Sequence, residues 1–424
     1  MKKRLSEIAI GAILLCGFVL GAPGCSMKNA WTQSENLSED LMEGVSASPA
    51  APVEIDDGFI SGAADFSVGL FKNSAVGSEN SLISPLSVLL ALAMTANGAD
   101  GGTLSQMEAV LGRGIPIDGL NKYLYSYVGA LPNGQKSKLT IANSIWLREN
   151  DLAVEKGFLQ ANADYYDAAA YESAFDSQTL ESINKWVKEN TDGMIDSILD
   201  SISEEAVMYL INAVVFDAEW ETVYTQSDMR PGGFTSADGM EQQTEFMFSG
   251  ENLYLDDGKA TGFIKPYANG SYSFAALLPN EDTDISDYMG SLTGDGFINT
   301  MKTAADVEVI AGLPKFSYDY QVSMNDALKA MGMPDAFSDT DADFSKLGAS
   351  PGGNLFISDV LHKAFISVDE LGTKAGASTA VEIAATGAMV YEPKTVILDR
   401  PFVYAVIDNN TNLPVFMGVM ASCE

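Results

Sequence analysis

The chain has 424 residues and carries 58 aspartates and glutamates against 24 lysines and arginines, a formal net charge of −34. A surface this acidic repels phosphate backbones and sulfated polysaccharides, so nucleic acid is excluded as a partner and heparin is not expected. Hydrophobic residues make up 46% of the chain, which is enough for a large core. The acidity itself fits either solubility outside the cell or attraction of basic partners.

The amino terminus has the pattern of an export signal. Basic residues at positions 2–4 precede an apolar run at 8–20, followed by small residues, so residues 1–24 are predicted to be a signal peptide. The segment Ala22-Pro23-Gly24-Cys25 resembles a lipobox, in which Cys25 would be acylated, although Ala22 and Pro23 depart from the usual pattern. Ordinary signal cleavage and an uncleaved anchor remain open. We expect an exported, extracellular protein that touches a membrane only through this anchor.

A polar segment follows the predicted signal. Residues 36–52 are rich in Ser, Ala, Glu and Pro and show no apolar period, so residues 25–57 are predicted to form a flexible tether. The folded domain is then predicted to span 58–424. Only Cys423 of the three cysteines lies in this domain, so no disulfide framework is expected there.

Helices and strands mix along the domain without strict alternation, which predicts a mixed α/β (α+β) fold with antiparallel sheet. A helix is predicted to begin near residue 58, and a second begins at Pro85 with Ser84 as its cap. Thr103 and Gln106 predict a capping box for a third helix that ends at Gly112. Later helices are predicted over 180–188 and 322–331, and strands over 139–147, 207–216, 272–278, 307–310, 313–320, 355–370, 402–407 and 413–419.

One long segment fits neither a linker nor a regular element. Residues 370–389 are small or β-tolerant, contain no proline, and show no helical period. A structureless loop of this length inside a domain calls for a functional explanation. This segment is predicted to be able to exist either as an exposed loop or as a strand.

Several kinds of catalytic and metal site are excluded by the residues available. The single histidine, His362, lies within an apolar strand pattern, where a buried structural histidine is favoured over a Ser-His-Asp triad. Asp339, Asp341 and Asp343 mimic the start of a calcium loop, but Phe344 stands where glycine is required. No nucleotide-binding glycine motif occurs. The chain is therefore not expected to be an enzyme or to need a cofactor.

Five separated segments resemble serpins, in serpin order and spacing. They are ISPLSVLLALAMTANGADGGTLSQM, LINAVVFDAEW, LPKFSY, SDVLHKAFISVDELGTKAGASTA and RPFVYAVIDNNTNLPVFMGVM. The resemblance covers residues 58–424. It implies a serpin fold with three β-sheets, a surrounding set of helices and an exposed reactive-centre loop.

The resemblance also assigns site residues. It places a polar cluster that governs sheet opening at Ser84, Ser87, Asn212 and His362. It places Trp220 at the top of the main sheet, beside an ion pair of Lys315 with Glu370. It assigns the start of the hinge to Glu370, Gly372 and Thr373. The small-residue run of the hinge is Ala375, Gly376, Ala377, Ser378 and Thr379, and small side chains from Thr373 onward would ease entry into the sheet.

In the mechanism that the resemblance implies, a serine protease cleaves the loop and is trapped in a covalent 1:1 complex with a monomeric inhibitor. Counting from the hinge places the reactive bond at Thr386-Gly387, with Ala385-Thr386 as its rival, whereas counting back from Pro401 places it at 389–391. The small residues 383–386 suit an elastase-like protease rather than a trypsin-like one, and subtilisin-like or papain-like targets remain open. There are two alternatives to an inhibitory function: a non-inhibitory serpin that acts as a surface binding protein, and an anchored adhesin.

Overall fold

In the computed structural model, the described residues are 38–134, 136–149, 152–268, 270–373 and 393–423. The helices are α1 Asp57–Ser74, α2 Pro85–Ala96, α3 Gly101–Gly112, α4 Ile117–Ala130, α5 Lys156–Tyr166, α6 Ser177–Asn190, α7 Ile285–Ser291, α8 Gly294–Lys302 and α9 Asn325–Met331. Within these residues, no helix is both long and apolar enough to cross a membrane.

The strands follow the order of the chain. They are β1 Glu39–Asp40, β2 Ser81–Ile83, β3 Ser137–Arg148, β4 Ala153–Val154, β5 Ala169–Ser173, β6 Met208–Glu219, β7 Met229–Thr235, β8 Glu241–Asp256, β9 Ala260–Pro266, β10 Tyr272–Pro279, β11 Ala305–Pro314, β12 Phe316–Ser323, β13 Gly348–Ala349, β14 Asp359–Val368, β15 Gly372–Thr373, β16 Lys394–Ile397, β17 Phe402–Asp408 and β18 Pro414–Met420.

In the described part of the chain, these strands form three sheets, which confirms the predicted mixed fold. The first has seven strands in the order β1-β5-β3-β6-β15-β14-β12. The second has nine, in the order β16-β11-β8-β9-β10-β17-β18-β2 with β7 paired to β8, and the third pairs β13 with β4. Strands β6 and β14 are parallel neighbours over part of their length, so the seven-stranded sheet has a central seam between them.

Strand β6 is buried on both faces of that sheet. Leu210 and Val214 belong to the main core cluster, whereas Ile211 and Val215 belong to a second cluster that includes Val187 of α6. Successive side chains of a strand point to opposite faces, so a continuous apolar run is what a strand covered on both sides requires. The predicted buried strand at 207–216 is therefore confirmed, and it continues to Glu219.

The predicted cap of α3 is wrong. The helix begins at Gly101 with Asp100 as its cap, and the Asp100 side chain accepts a hydrogen bond from the Gly101 N–H. Thr103 lies inside the first turn, where its Oγ1 accepts a hydrogen bond of 2.9 Å from the Asp343 N–H. The Thr103 hydroxyl, which the local spacing assigned to a capping box, is therefore bonded to Asp343, a residue distant in sequence.

Residues 38–56 also differ from the predicted tether. Strand β1 pairs antiparallel with β5, with Glu39 opposite Glu172. Farther along, the Ser48 N–H donates to Asp164, and the Val53 N–H donates to Ser126 at 2.8 Å. These backbone hydrogen bonds hold the segment on the domain. The rest of the predicted tether and the predicted signal peptide lie outside the described residues.

Candidate functional site: the hinge and the seam of the seven-stranded sheet

The first residues of the predicted loop are already part of the sheet. After β14 the chain turns at residues 369–371 and returns as β15, in which Gly372 pairs with Glu219 and Thr373 pairs with Ala218 of β6. Thr373 also pairs with Val368 of β14, so β15 occupies the top of the seam. Both residues of β15 are buried. The first residues of the loop that was predicted to be exposed, Gly372 and Thr373, are therefore buried in the sheet.

Gly372 lies too close to β6 for any side chain. A Cβ atom built on Gly372 would lie 2.0 Å from the carbonyl oxygen of Ala218. Real Cβ atoms do not approach a carbonyl oxygen that closely, so a larger residue would push β15 away from β6. The close pairing at the top of the seam thus requires glycine at this position.

The side chain of Thr373 points into a buried aromatic cluster. Its hydroxyl lies 2.5 Å from the phenol oxygen of Tyr267, and Tyr267 stacks on Trp220 with ring centroids 4.5 Å apart. The indole Nε1 of Trp220 donates to the Asp369 carbonyl at 2.8 Å. Burial raises the pKa of the Tyr267 phenol well above its ordinary value, so the phenol is neutral and able to donate.

The predicted ion pair lies beside this cluster. Lys315, between β11 and β12, contacts Glu370 at 2.8 Å and Glu245 at 2.7 Å. The hydrogen bond from the Lys315 ammonium lowers the pKa of the Glu370 carboxyl. The turn that leads into β15 is therefore held by a charged contact as well as by Trp220. Sequence reasoning missed Glu245, which lies on β8, and Tyr267, which directly follows β9, because both are far from the hinge in sequence.

The predicted polar cluster lies lower in the seam, where β6 and β14 pair directly. Asn212 and His362 are register partners in this parallel pairing, and Asn143 of β3 is opposite Asn212 on its other side. The His362 Nδ1 bonds to the Asn212 carbonyl oxygen, and the Asn212 amide donates to Asn143 and Ser87. Ser84, which caps α2, donates its N–H to His362 Nε2 at 3.1 Å.

These contacts determine the tautomer of His362. Because Nε2 accepts from the Ser84 N–H, the ring proton is on Nδ1, which donates to Asn212. A second proton on Nε2 would face the Ser84 N–H, and the whole side chain is buried. Burial lowers the pKa of His362 to about 3, so the ring is neutral at physiological pH. This buried, satisfied histidine is the arrangement that the sequence favoured over a catalytic one.

The structure brings together Ser84, Ser87, Asn212 and His362 in one group, and Trp220, Lys315, Glu370, Gly372 and Thr373 in another. Asn143 was missed, although a polar residue on the face of β3 that otherwise carries Leu139, Ile141, Ile145 and Leu147 was a usable signal. The remaining predicted site residues lie outside the described part of the chain. They are Cys25, Ala375, Gly376, Ala377, Ser378, Thr379, Ala385, Thr386 and Gly387.

Comparison with solved structures relates this arrangement to known proteins. The chain is similar to the thermophilic serpin tengpin in its native state, with 57% sequence identity and a TM-score of 0.87 over 91% of this chain and 99% of that one. The TM-score to tengpin in the latent state is 0.78, at 53% identity over 88% of this chain and all of that one. The described conformation therefore resembles the native state more than the latent state.

Curated relatives point to the same family. An uncharacterised serpin-like protein of Thermococcus kodakarensis is 32% identical over 365 residues, which cover 84% of this chain and 83% of that protein. Mouse glia-derived nexin is 31% identical over 353 residues, which cover 80% of this chain and 87% of the nexin. The family model "Serpin (serine protease inhibitor)" matches residues 61–423. The chain thus belongs to the serpins, a family of protease inhibitors rather than catalysts.

Proposed function

We propose that this serpin is a suicide-substrate inhibitor of serine proteases, which it traps by inserting the segment after Glu370 into the seven-stranded sheet. The observation that carries the proposal is the placement of Gly372 and Thr373 between β6 and β14. Within the described residues, direct pairing of β6 with β14 stops at Val214 and Ala364, below β15. The sheet is thus already separated at the point where a new strand would enter.

The trap depends on the order of two events. The protease serine attacks the carbonyl carbon of Thr386, the bond to Gly387 breaks, and the new amino terminus leaves while the serine holds the acyl group as an ester. The freed segment then extends β15 down the seam before water hydrolyses the ester. Roughly 13 inserted residues at about 3.3 Å each would carry the protease on the order of 40 Å.

The polar cluster lies on the path of this insertion. A strand that passes between β6 and β14 must separate Asn212 from His362, whose direct hydrogen bond joins the two strands. Both groups are buried, and an unpaired buried polar group is unfavourable. The cluster therefore sets part of the barrier to insertion, and the inserted strand must supply replacement partners.

The target class follows from the residues before the reactive bond. Ile383, Ala384, Ala385 and Thr386 are small or aliphatic and uncharged, which suits the shallow primary pocket of an elastase-like protease. A trypsin-like pocket needs lysine or arginine, and neither occurs between residues 375 and 393. Subtilisin-like and papain-like proteases are second candidates.

The direct test is incubation of the mature protein with an elastase-like protease, followed by denaturing electrophoresis and mass analysis. We expect a denaturant-resistant 1:1 adduct and a released carboxy-terminal fragment that begins at Gly387. Trypsin serves as the control and should give no adduct through this loop. Cleavage of the loop without any adduct would contradict inhibition and support a non-inhibitory serpin that acts as a binding protein.

We further propose that the protein is exported as a lipoprotein and acts as a monomer outside the cell. The proposal is supported by the basic, apolar and small-residue pattern of residues 1–24 and by the position of Cys25. Intact-mass measurement of protein from membranes should show a chain that begins at Cys25 with acyl groups attached. A Cys25→Ser variant should lose the acyl mass and appear in the medium. An unmodified wild-type chain would contradict lipidation.

A further inference from the structure

We propose that the buried ion pair of Lys265 with Glu251 is a positioning element for loop insertion. It holds the connection that follows β6, residues 220–224, against the turn that begins the inserted strand. The inference rests on the proposed inhibitory function and assigns a role in it to two residues outside the hinge.

The pair is buried. Lys265 of β9 and Glu251 of β8 have side chains only 2% and 8% exposed, and Nζ lies 2.9 Å from Oε1. The Ser249 hydroxyl donates to the same carboxylate oxygen at 2.6 Å. Among the described residues, every other ion pair has at least one side chain that is a quarter exposed or more. A buried charged pair gives little net stability compared with apolar residues, so its presence calls for another explanation.

The ammonium of Lys265 contacts the connection at three points. Nζ donates to the Thr222 carbonyl at 3.3 Å. It also lies 4.4 Å from the ring centroid of Tyr224 and 5.4 Å from that of Trp220. A cation over two aromatic faces and on one carbonyl fixes the path of the chain between them. An apolar side chain could fill the same space, but it could not donate to Thr222.

Residues of this connection also hold the hinge turn, residues 369–371. The Tyr224 N–H donates to the Glu370 carbonyl at 2.9 Å, and the Trp220 N–H donates to the Leu371 carbonyl at 2.9 Å. With the indole bond to Asp369, three successive carbonyls of residues 369–371 accept hydrogen bonds from this one connection. Trp220 directly follows β6, whereas Tyr224 is four residues farther along and is in contact with Lys265.

Holding this turn matters because β14, the turn and β15 form a short hairpin that the inserted segment must extend. If the turn shifts by one residue, the side chains of the whole inserted strand exchange faces, since their period is two. Loss of the Lys265 contacts should therefore slow productive insertion and leave the acyl-enzyme more time to hydrolyse. The measurable result is more inhibitor cleaved for each protease trapped.

The test compares Lys265→Met with the double variant Lys265→Met/Glu251→Gln in the mature protein. The stoichiometry of inhibition is measured with the protease that forms an adduct with wild type, and the midpoint of thermal unfolding is measured alongside. The single variant leaves the Glu251 carboxylate buried without its partner, so the thermal midpoint should fall and the stoichiometry of inhibition should rise. The double variant removes the unpaired charge and should regain most of the thermal midpoint. Its stoichiometry should stay raised about tenfold, as for loss of one charge-assisted hydrogen bond.

Leu111→Ala is the control for stability alone. Leu111 is buried in α3, which packs on α1 and α2, and its truncation should lower the midpoint without changing the stoichiometry. A double variant that regains both midpoint and stoichiometry would overturn the inference, because the pair would then serve the fold only. If wild type forms no adduct at all, the proposed function fails first, and this inference fails with it.

Discussion

Thr373→Arg is expected to convert the inhibitor into a substrate, with at least a tenfold fall in the fraction of protease that is trapped. Thr373 is 2% exposed and its hydroxyl faces the Tyr267 phenol, so the sheet has no space or countercharge for a guanidinium. Burial of an unpaired charge costs several kcal/mol, and about 1.4 kcal/mol changes a rate tenfold. The arginine should stay outside the sheet and delay insertion until the acyl-enzyme has hydrolysed. The ratio of adduct to cleaved inhibitor after electrophoresis measures this directly.

Thr373→Ser is the matched control for this change. Serine keeps the hydroxyl and the small volume at the same place in the seam, so the ratio of adduct to cleaved inhibitor should stay near that of wild type. Cleavage of the loop itself should be equally fast in both variants, because the reactive bond is far along the chain from residue 373. An arginine variant that still traps protease as well as wild type would contradict insertion through this seam.

The native state is expected to lose stability as the pH falls below about 6.5, at about 1.4 kcal/mol for each pH unit. Burial lowers the pKa of His362 to about 3 in the native state, from an ordinary value of 6.5. Between these values the unfolded chain binds a proton that the native chain does not, so acid favours unfolding. Because the slope reaches its full value only below pH 6.5, the free energy of unfolding from urea titrations should therefore fall by about 1.6 kcal/mol between pH 6.5 and pH 5.

The sequence makes this result easy to assign. His362 is the only histidine, and the aspartates and glutamates of ordinary pKa titrate mainly below pH 5. His362→Gln offers a control, since an amide can bond to Asn212 and Ser84 but does not titrate. This variant should be less stable at pH 7 and should lose most of the slope between pH 6.5 and pH 5. An equal slope in both proteins would show that His362 is not the cause.

Much of the site could be predicted because its residues follow strong local patterns. Asn212 stands out as the polar residue within the apolar run of residues 207–216, and His362 lies in the apolar pattern of β14. A buried polar side chain needs a partner, so a shared cluster follows once two such strands are neighbours. The resemblance to serpins predicted that the two strands lie side by side in the main sheet. The structure adds their register, in which Asn212 and His362 are direct partners.

Other features could not be predicted because they depend on contacts that leave no local pattern. Residues 38–56 attach through backbone hydrogen bonds, which composition does not reveal. Lys265 and Glu251 lie on strands where a charged residue normally indicates a solvent-facing position, and only the tertiary structure shows that both are enclosed. The buried start of the loop was likewise hidden, because Gly372 and Thr373 are as compatible with an exposed hinge as with a strand.

A sheet that takes up a strand from its own loop, as proposed for this protein, is also exposed to pairing with a strand of a neighbouring molecule. The outer edge of the seven-stranded sheet next to β5 is covered by β1, a strand of only two residues, both of them acidic and exposed. Short and charged edge strands are poor templates for pairing with another chain. The carboxylates of Glu39 and Asp40 therefore disfavour pairing with another chain at this edge, which is distant in the strand order from the β6–β14 seam where the loop is proposed to insert.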